Sequence, residues 1–107
     1  MNQPTLEELN LLHANICQAL GDPKRILILY SLHEQSRHVS QLAKDLDMPQ
    51  PTVSRHLRVL RERGLVETER RGTAVFYTVT DDRMINVLDT MRLILRDVLE
   101  QQTVVLT

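Results

Sequence analysis

Residues 39–80 decide the fold of this chain and read VSQLAKDLDMPQPTVSRHLRVLRERGLVETERRGTAVFYTVT. A short segment with helical periodicity leads through a proline-containing turn into a second segment, which ends at Gly64. In that second segment Val53, Leu57 and Leu60 recur at spacings of four and three residues, which predicts a helix with one buried stripe. Two such helices joined by a tight turn form a helix-turn-helix, whose second helix has the size to enter a DNA major groove.

The residues that follow Gly64 predict a β-hairpin. Residues 66–79 carry β-branched and aromatic side chains around Arg70-Arg71-Gly72-Thr73, which is the pattern of two strands and a turn. A hairpin placed directly after a helix-turn-helix is a wing. We therefore predict a helix-turn-helix over residues 40–63 and a wing over residues 66–79.

Three further helices, the first, the second and the last of the chain, are predicted around this unit. Thr5 begins the first with a capping-box pattern, Asp22 caps the second, and Ser40 is the expected N-cap of the short third helix. The second helix is apolar on nearly all sides, so we expect it at the domain centre. Asp81–Asp82 favour the positive end of the last helix. The predicted fold is a single domain over residues 1–107, mainly α with a small β-hairpin: a winged helix-turn-helix.

The distribution of charge is more informative than its sum. The net charge is −1, yet residues 54–71 hold six Arg and three Glu. Residues 1–22 and the segment from Asp81 onward are acidic, so positive charge is concentrated where a DNA-binding protein needs it. The single Cys17 excludes an internal disulfide framework. The sequence shows no signal peptide and no membrane-spanning segment, so we expect a cytoplasmic protein without a membrane partner.

The first helix (residues 5–20) and the last helix (residues 81–101) have more apolar surface than a small core can cover. One interpretation is that the last helix is buried on two sides within the monomer. The other, which we favour, is that both helices pair with a second copy in a homodimer. The residues expected at that interface are Leu9, Leu12, Ile16, Leu88, Met91, Ile94, Leu95 and Val98. The apolar stretch after Gln101 has no predicted role.

Candidate DNA contacts lie on the second helix of the helix-turn-helix and on the wing. Polar side chains able to bond base edges are Gln50, Thr52, Ser54 and Arg55. One turn further, Arg58 is better placed for phosphate. On the wing, the candidates for the backbone or the minor groove are Arg70, Arg71 and Thr73. For His56, beside Leu57, a structural hydrogen bond is the favoured interpretation.

Catalytic and metal sites are not predicted. The chain has no Gly-rich phosphate loop or nucleophile motif, and no Cys or His pair with the spacing of metal ligands. We therefore expect no enzyme activity and no cofactor. Cys17 and the histidines leave open a metal- or redox-responsive site of unusual placement.

Three segments together resemble the ArsR/SmtB family of winged-helix transcriptional repressors. They are CQALGDPKRILIL from Cys17, VSQLA from Val39, and PTVSRHLRVLRERGLV from Pro51. The resemblance implies a homodimer built on the first and last helices that binds an imperfect inverted repeat in double-stranded DNA. It further implies that an inducer releases the DNA, and that the recognition residues are Gln50, Thr52, Ser54 and Arg55.

This sequence departs from the family at its sensing sites. The place of the C-x-C pair reads Ser36-Arg37-His38-Val39-Ser40-Gln41, without a thiol. Arg83 stands where a metal-binding His of the last helix is needed, and sulfur-responsive members use two cysteines where this chain has one. The inducer is therefore unknown. A protein-interaction module, with a merely solvated Arg face, is the alternative from another functional class.

Overall fold

The computed structural model of this chain describes the backbone of residues 2–106 and the side chains of residues 2–102. The elements are α1 (Leu6–Leu12), which continues as a π-helical stretch (His13–Cys17), α2 (Pro23–Glu34), α3 (Val39–Asp45), α4 (Gln50–Glu62), β1 (Val66–Arg71), β2 (Ala74–Val79) and α5 (Arg83–Leu106). This order confirms the predicted winged helix-turn-helix. No helix within the described residues has the length and apolar character needed to cross a membrane.

The hydrophobic core lies between α2, α3, α4 and the base of the hairpin. From α4 it takes Val53, Leu57 and Leu60, each at most 1% exposed, so the predicted stripe is confirmed. Burying a side chain of this size contributes about 1.5–3 kcal/mol. The other core residues are also aliphatic: Ala19, Ile28, Leu29, Leu32, Leu42, Leu65, Val66, Ile85 and Leu88.

The central position predicted for α2 holds for one side of that helix only. Ile28 and Leu29 are fully buried, whereas Leu27 is 47% exposed. The side that carries Leu27 borders an open groove of about 430 Å³, whose lining also includes Asp45 and Leu46 at the end of α3. The apolar pattern of α2 therefore overstated its burial.

Side-chain caps define where the helices begin. The Thr5 hydroxyl accepts a hydrogen bond from the Glu8 amide at 3.1 Å, and the Asp22 carboxylate accepts one from the Lys24 amide at 2.8 Å, as predicted. The bond from Lys24 is also the main reason that the pKa of Asp22 is lowered.

The prediction of Ser40 as the cap of α3 is wrong, because His38 takes that position. Its Nδ1 accepts from the Gln41 amide at 3.4 Å, while Gln41 Oε1 accepts from the His38 amide at 3.1 Å. This reciprocal pair satisfies the backbone N–H groups of His38 and Gln41, and it places the cap two residues ahead of Ser40. The Ser40 hydroxyl lies 2.6 Å from His38 Nδ1 instead.

The wing is a two-stranded antiparallel hairpin with Val66 paired to Val79 at its base and Arg71 paired to Ala74 at its tip. Gly72 follows Arg71 with φ of +61°, a value that favours glycine in a two-residue hairpin turn. Arg37, between α2 and α3, adds a short bridge to Tyr77 of β2.

The last helix is longer than expected and begins at a strong cap. It continues to Leu106, so the backbone of the unassigned apolar stretch is helical to that residue. At the other end Asp81 accepts from the Arg83 amide at 2.9 Å and from its guanidinium at 2.7 Å. Hydrogen bonds from the Arg83 side chain and backbone lower the pKa of Asp81 to about 2.

Candidate nucleic-acid interface

The outward face of α4 is polar and lies opposite its buried stripe. A helix turns by about 100° per residue, so Arg55 and Arg58 point away from the side that buries Leu57. Both arginines are exposed, as are Gln50 and Ser54, whereas Thr52 is half-buried. The structure thus brings together on one helix all five residues predicted there. Thr52 is the least accessible of them.

The turn before α4 sets the direction in which this face points. Asp47 has φ of +52°, in the left-handed region that Asp tolerates better than most residues. The chain is held there by a hydrogen bond from the Met48 amide to the Ala43 carbonyl at 2.9 Å. The Asp-Met-Pro-Gln sequence predicted a turn, but not the positive φ on which its geometry depends.

Side chains on the α4 face are largely free to bind. Arg55 makes one weak intramolecular contact, from Nη2 to Thr52 Oγ1 at 3.4 Å. Arg58 borders a groove of about 610 Å³ between α4 and β2, whose lining is Ser54, Leu57, Arg58, Arg61, Glu62 and Tyr77. Guanidinium groups at such a groove suit phosphate oxygens, which accept bidentate hydrogen bonds.

The two wing arginines differ in their surroundings. Arg71 lies over the Phe76 ring at 4.5 Å and donates to Ser36 Oγ at 3.2 Å and to Glu69 at 3.2 Å. These contacts draw the Arg71 side chain toward the body of the protein. Arg70 and Thr73 are exposed at the tip, so Arg70 is the better placed of the pair to reach DNA.

Arg37 is a functional candidate that sequence reasoning missed. Its backbone exchanges two hydrogen bonds with Tyr77, at 3.2 and 2.8 Å. Its side chain, 18% exposed, donates to Asp45 of α3 at 2.6 Å and to Glu34 of α2 at 3.4 Å. Arg37 therefore holds the wing against the helix-turn-helix. No periodic pattern marks it, since Tyr77 is remote in sequence.

The residues assigned to a dimer interface fall into two groups. The exposed group, between 42% and 56% accessible, comprises Leu9, Leu12, Met91, Ile94, Leu95 and Val98. Ile16 is half-buried. Leu88 is only 2% exposed and belongs to the monomer's own core, which corrects its assignment to the interface. It lies on the side of α5 that faces α2.

Three of the four histidines lie beside structural partners. His33 Nδ1 lies 3.4 Å from Asp82, His38 caps α3, and His56 Nδ1 lies 3.5 Å from Arg25 Nη1. The structural hydrogen bond predicted for His56 is confirmed; burial is the main cause that lowers its pKa. In the described part of the chain, no three His, Cys, Asp or Glu side chains are grouped to hold a metal ion. Cys17 is exposed.

Comparisons with known proteins place this geometry in a family. The model of the arsR family of bacterial regulatory proteins matches residues 22–68. An HTH-type transcriptional regulator of Methanocaldococcus jannaschii is 41% identical over 76 residues, which cover 70% of this chain and 85% of that one. The HTH-type transcriptional repressor SmtB of Mycobacterium tuberculosis is 38% identical over an alignment that covers 68% of this chain and 54% of that repressor.

A solved structure agrees with these matches. The homodimeric winged helix-turn-helix DNA-binding domain of a possible ArsR-family regulator from Mycobacterium bovis superposes with a TM-score of 0.76. It is 27% identical, and the alignment covers 94% of this chain and 95% of that domain. This chain therefore belongs to the arsR family of bacterial regulatory proteins and is a winged helix-turn-helix, DNA-binding transcriptional regulator.

Proposed function

We propose that this protein is a homodimeric repressor that binds an inverted repeat in double-stranded DNA and is released by a signal still to be identified. The observation that carries the proposal is the division of α4 into two faces. Val53, Leu57 and Leu60 anchor the helix in the core, while Arg55 and Arg58 are exposed on the other side. Such a helix is held firmly and presents hydrogen-bond donors outward.

The DNA-reading surface consists of two parts with different tasks. Gln50, Ser54 and Arg55 are exposed at the N-terminal half of α4, the part of a recognition helix that contacts base edges. Arg58, Arg61 and Arg70 serve the phosphate backbone, because they lie further along α4 and at the wing tip. Base contacts specify sequence, and phosphate contacts supply salt-dependent affinity.

Dimerisation is supported by apolar surface that the monomer leaves uncovered. No residue of α1 is buried, and α5 exposes Met91, Ile94 and Val98 on one side. The Mycobacterium bovis relative is homodimeric and SmtB is named a repressor. A twofold dimer would place two α4 helices about 34 Å apart, one turn of DNA.

The decisive experiment begins with a search for the operator. Wild-type protein is used to select binding sites from a pool of random-sequence duplexes, and affinities are measured by fluorescence anisotropy. We expect an inverted repeat, with affinity that falls steeply as salt concentration rises. Arg55→Ala should weaken binding to the selected site by about 1–3 kcal/mol and relax its sequence preference.

Arg96→Ala is the matched control, because Arg96 is an exposed arginine on α5. It should leave the affinity unchanged. An equal loss for Arg55→Ala on selected and random duplexes would reduce Arg55 to a phosphate contact. Selection that yields no common sequence, with affinity independent of salt, would favour the protein-interaction module.

A further inference from the structure

One guanidinium connects three elements at the junction between the first helix and α4. Arg25 of α2 has a side chain that is only 16% exposed. Its Nε donates to the Ala19 carbonyl at 2.6 Å, and its Nη2 donates to the Gln18 carbonyl at 3.0 Å. Both carbonyls lie at the C-terminal end of the first helix. The remaining nitrogen, Nη1, lies 3.5 Å from Nδ1 of His56 on α4.

The contact with Arg25 sets a requirement on His56. Because Nη1 of Arg25 can only donate, a hydrogen bond there requires an imidazole without a proton on Nδ1. Burial and the neighbouring cations Arg25, Lys24 and Arg55 favour the neutral ring, while Asp22 opposes them. His56 is thus suited to receive a hydrogen bond from Arg25.

A second link joins the same two helices further along. Arg63, at the C-terminal end of α4, donates from Nη1 to Asn15 Oδ1 at 3.4 Å. The Asn15 amide is oriented by its own helix, because Nδ2 donates to the Leu11 carbonyl at 2.8 Å. Seven residues, or about two helical turns, separate His56 from Arg63, so both links lie on one side of α4.

The two polar links can fix the orientation of α4, which apolar packing alone does not fix. The stripe of Val53, Leu57 and Leu60 holds α4 in the core, but apolar contact has little directionality. Hydrogen bonds at two points along a helix fix its angle to the element that they reach. For α4 that element is the first helix, which is reached directly from Arg63 and, from His56, through Arg25 of α2. The first helix carries part of the proposed dimer surface.

We propose that Arg25, with His56 and the Asn15–Arg63 pair, positions α4 relative to the dimer surface and thereby sets the half-site spacing that the dimer accepts. The inference rests on the proposed function. These residues need not touch a base. They fix the orientation of α4 relative to the first helix, so that the two α4 helices of the dimer fit one spacing of the DNA half-sites.

The test separates positioning from binding strength. It uses the inverted repeat selected by wild-type protein, versions with one base pair added or removed between the half-sites, and a single half-site. Wild type should prefer its own spacing by about tenfold or more, because one base pair displaces a half-site along and around the duplex. Arg25→Gln should reduce this preference to about threefold or less, with nearly unchanged affinity for the single half-site.

Arg96→Gln is the matched control, since it removes a guanidinium by the same substitution at an exposed position of α5 and should keep the spacing preference. Sedimentation confirms that each variant remains a dimer, and circular dichroism confirms that it folds. Should Arg25→Gln fail to fold, Asn15→Ala removes the second link from the first helix, and it must also flatten the spacing preference.

Two results would overturn the inference. One is a variant that loses the same factor of affinity on every duplex; the other is a folded variant with the spacing preference of wild type. Either result leaves the proposed function intact, provided that wild type selected an inverted repeat. Failure of wild type to select any repeat would instead refute the proposed function and the inference with it.

Discussion

Gly64 ends α4 in a backbone conformation that few residues tolerate. Its φ is +75°, and apart from Gly64 and its two chain neighbours no described residue has a heavy atom within 4 Å of the place where a Cβ would stand. A side chain there meets no steric obstacle, so its cost is the left-handed conformation alone. A substitution at Gly64 therefore measures the cost of the left-handed backbone at the end of α4 without a steric contribution.

We predict that Gly64→Ala lowers the free energy of unfolding by about 1 kcal/mol, the cost of placing an L-residue in the left-handed region. Urea denaturation measures the change. Gly64→Asn is the control and should lose less, because Asn adopts positive φ more readily than Ala. An alanine variant as stable as wild type would show that the chain ends α4 in another way.

The sequence predicted the role of a single residue best where that role depends only on neighbours in the chain. Thr5, Asp22 and Gly64 depend on their immediate neighbours, and the structure confirms each of them. Arg71 shows the limit of this approach. Its hydrogen bond to Ser36 exists only after the hairpin has folded onto the α2–α3 connection.

At the scale of elements, Arg37 is one of the residues outside the hairpin that hold the wing. Arg37 pairs its backbone with Tyr77 and its side chain with Asp45, so α3 and β2 share one anchor. A two-stranded hairpin by itself is marginally stable in water. Arg37 thereby helps to hold the wing at a fixed angle to α4.

We predict that Arg37→Ala lowers the free energy of unfolding by about 2 kcal/mol, since it removes charge-assisted hydrogen bonds from a mostly buried guanidinium. Hydrogen exchange at the Tyr77 amide should also accelerate, because the bridge loosens. Denaturation and exchange measured by NMR report these two effects separately.

Arg58→Ala provides the comparison for Arg37, since it removes an exposed guanidinium from α4. It should change stability by no more than about 0.5 kcal/mol. If both variants lose equal stability, Arg37 is not an anchor.

Element boundaries were harder to predict than element types. The cap of α3 is His38 instead of the predicted Ser40, because an imidazole took the capping role usually given to Ser or Asp. The helical backbone of α5 runs to Leu106, beyond the predicted end at residue 101. No Gly or Pro follows residue 101 to mark where that helix ends.

The whole molecule measures 55 × 38 × 21 Å, and its first and last helices leave apolar surface uncovered. On α5, Val87, Met91, Ile94 and Val98 fall within one narrow arc of the helix. Leu93, which is equally exposed, lies on a different side together with Asp89, Arg92 and Arg96. The side of α5 with Ile94 therefore suits an apolar partner, whereas the side with Leu93 suits solvent.

We predict that Ile94→Glu converts the proposed dimer to a monomer, because a carboxylate would be buried in an apolar interface. Affinity for the inverted repeat should fall by about a hundredfold or more, since the two half-sites are no longer linked. Sedimentation velocity and anisotropy titration measure the two effects.

Leu93→Glu is the matched control for this change. Both residues are 56% exposed and adjacent in α5, but Leu93 lies on the charged side. That variant should remain dimeric and bind normally. Equal behaviour of the two variants would contradict the proposed interface.

The sequence by itself determined the order of elements, the helix-turn-helix with its wing, and the polar face of α4. These follow from periodicity, caps and turn residues, which act over a few positions of the chain. Tertiary structure alone decided that Leu88 lies in the core, that Arg71 donates a hydrogen bond to Ser36, and that Arg25 and Arg37 join separate elements. The physical reason is distance along the chain: such contacts join residues far apart in sequence, and no local pattern encodes where those residues meet.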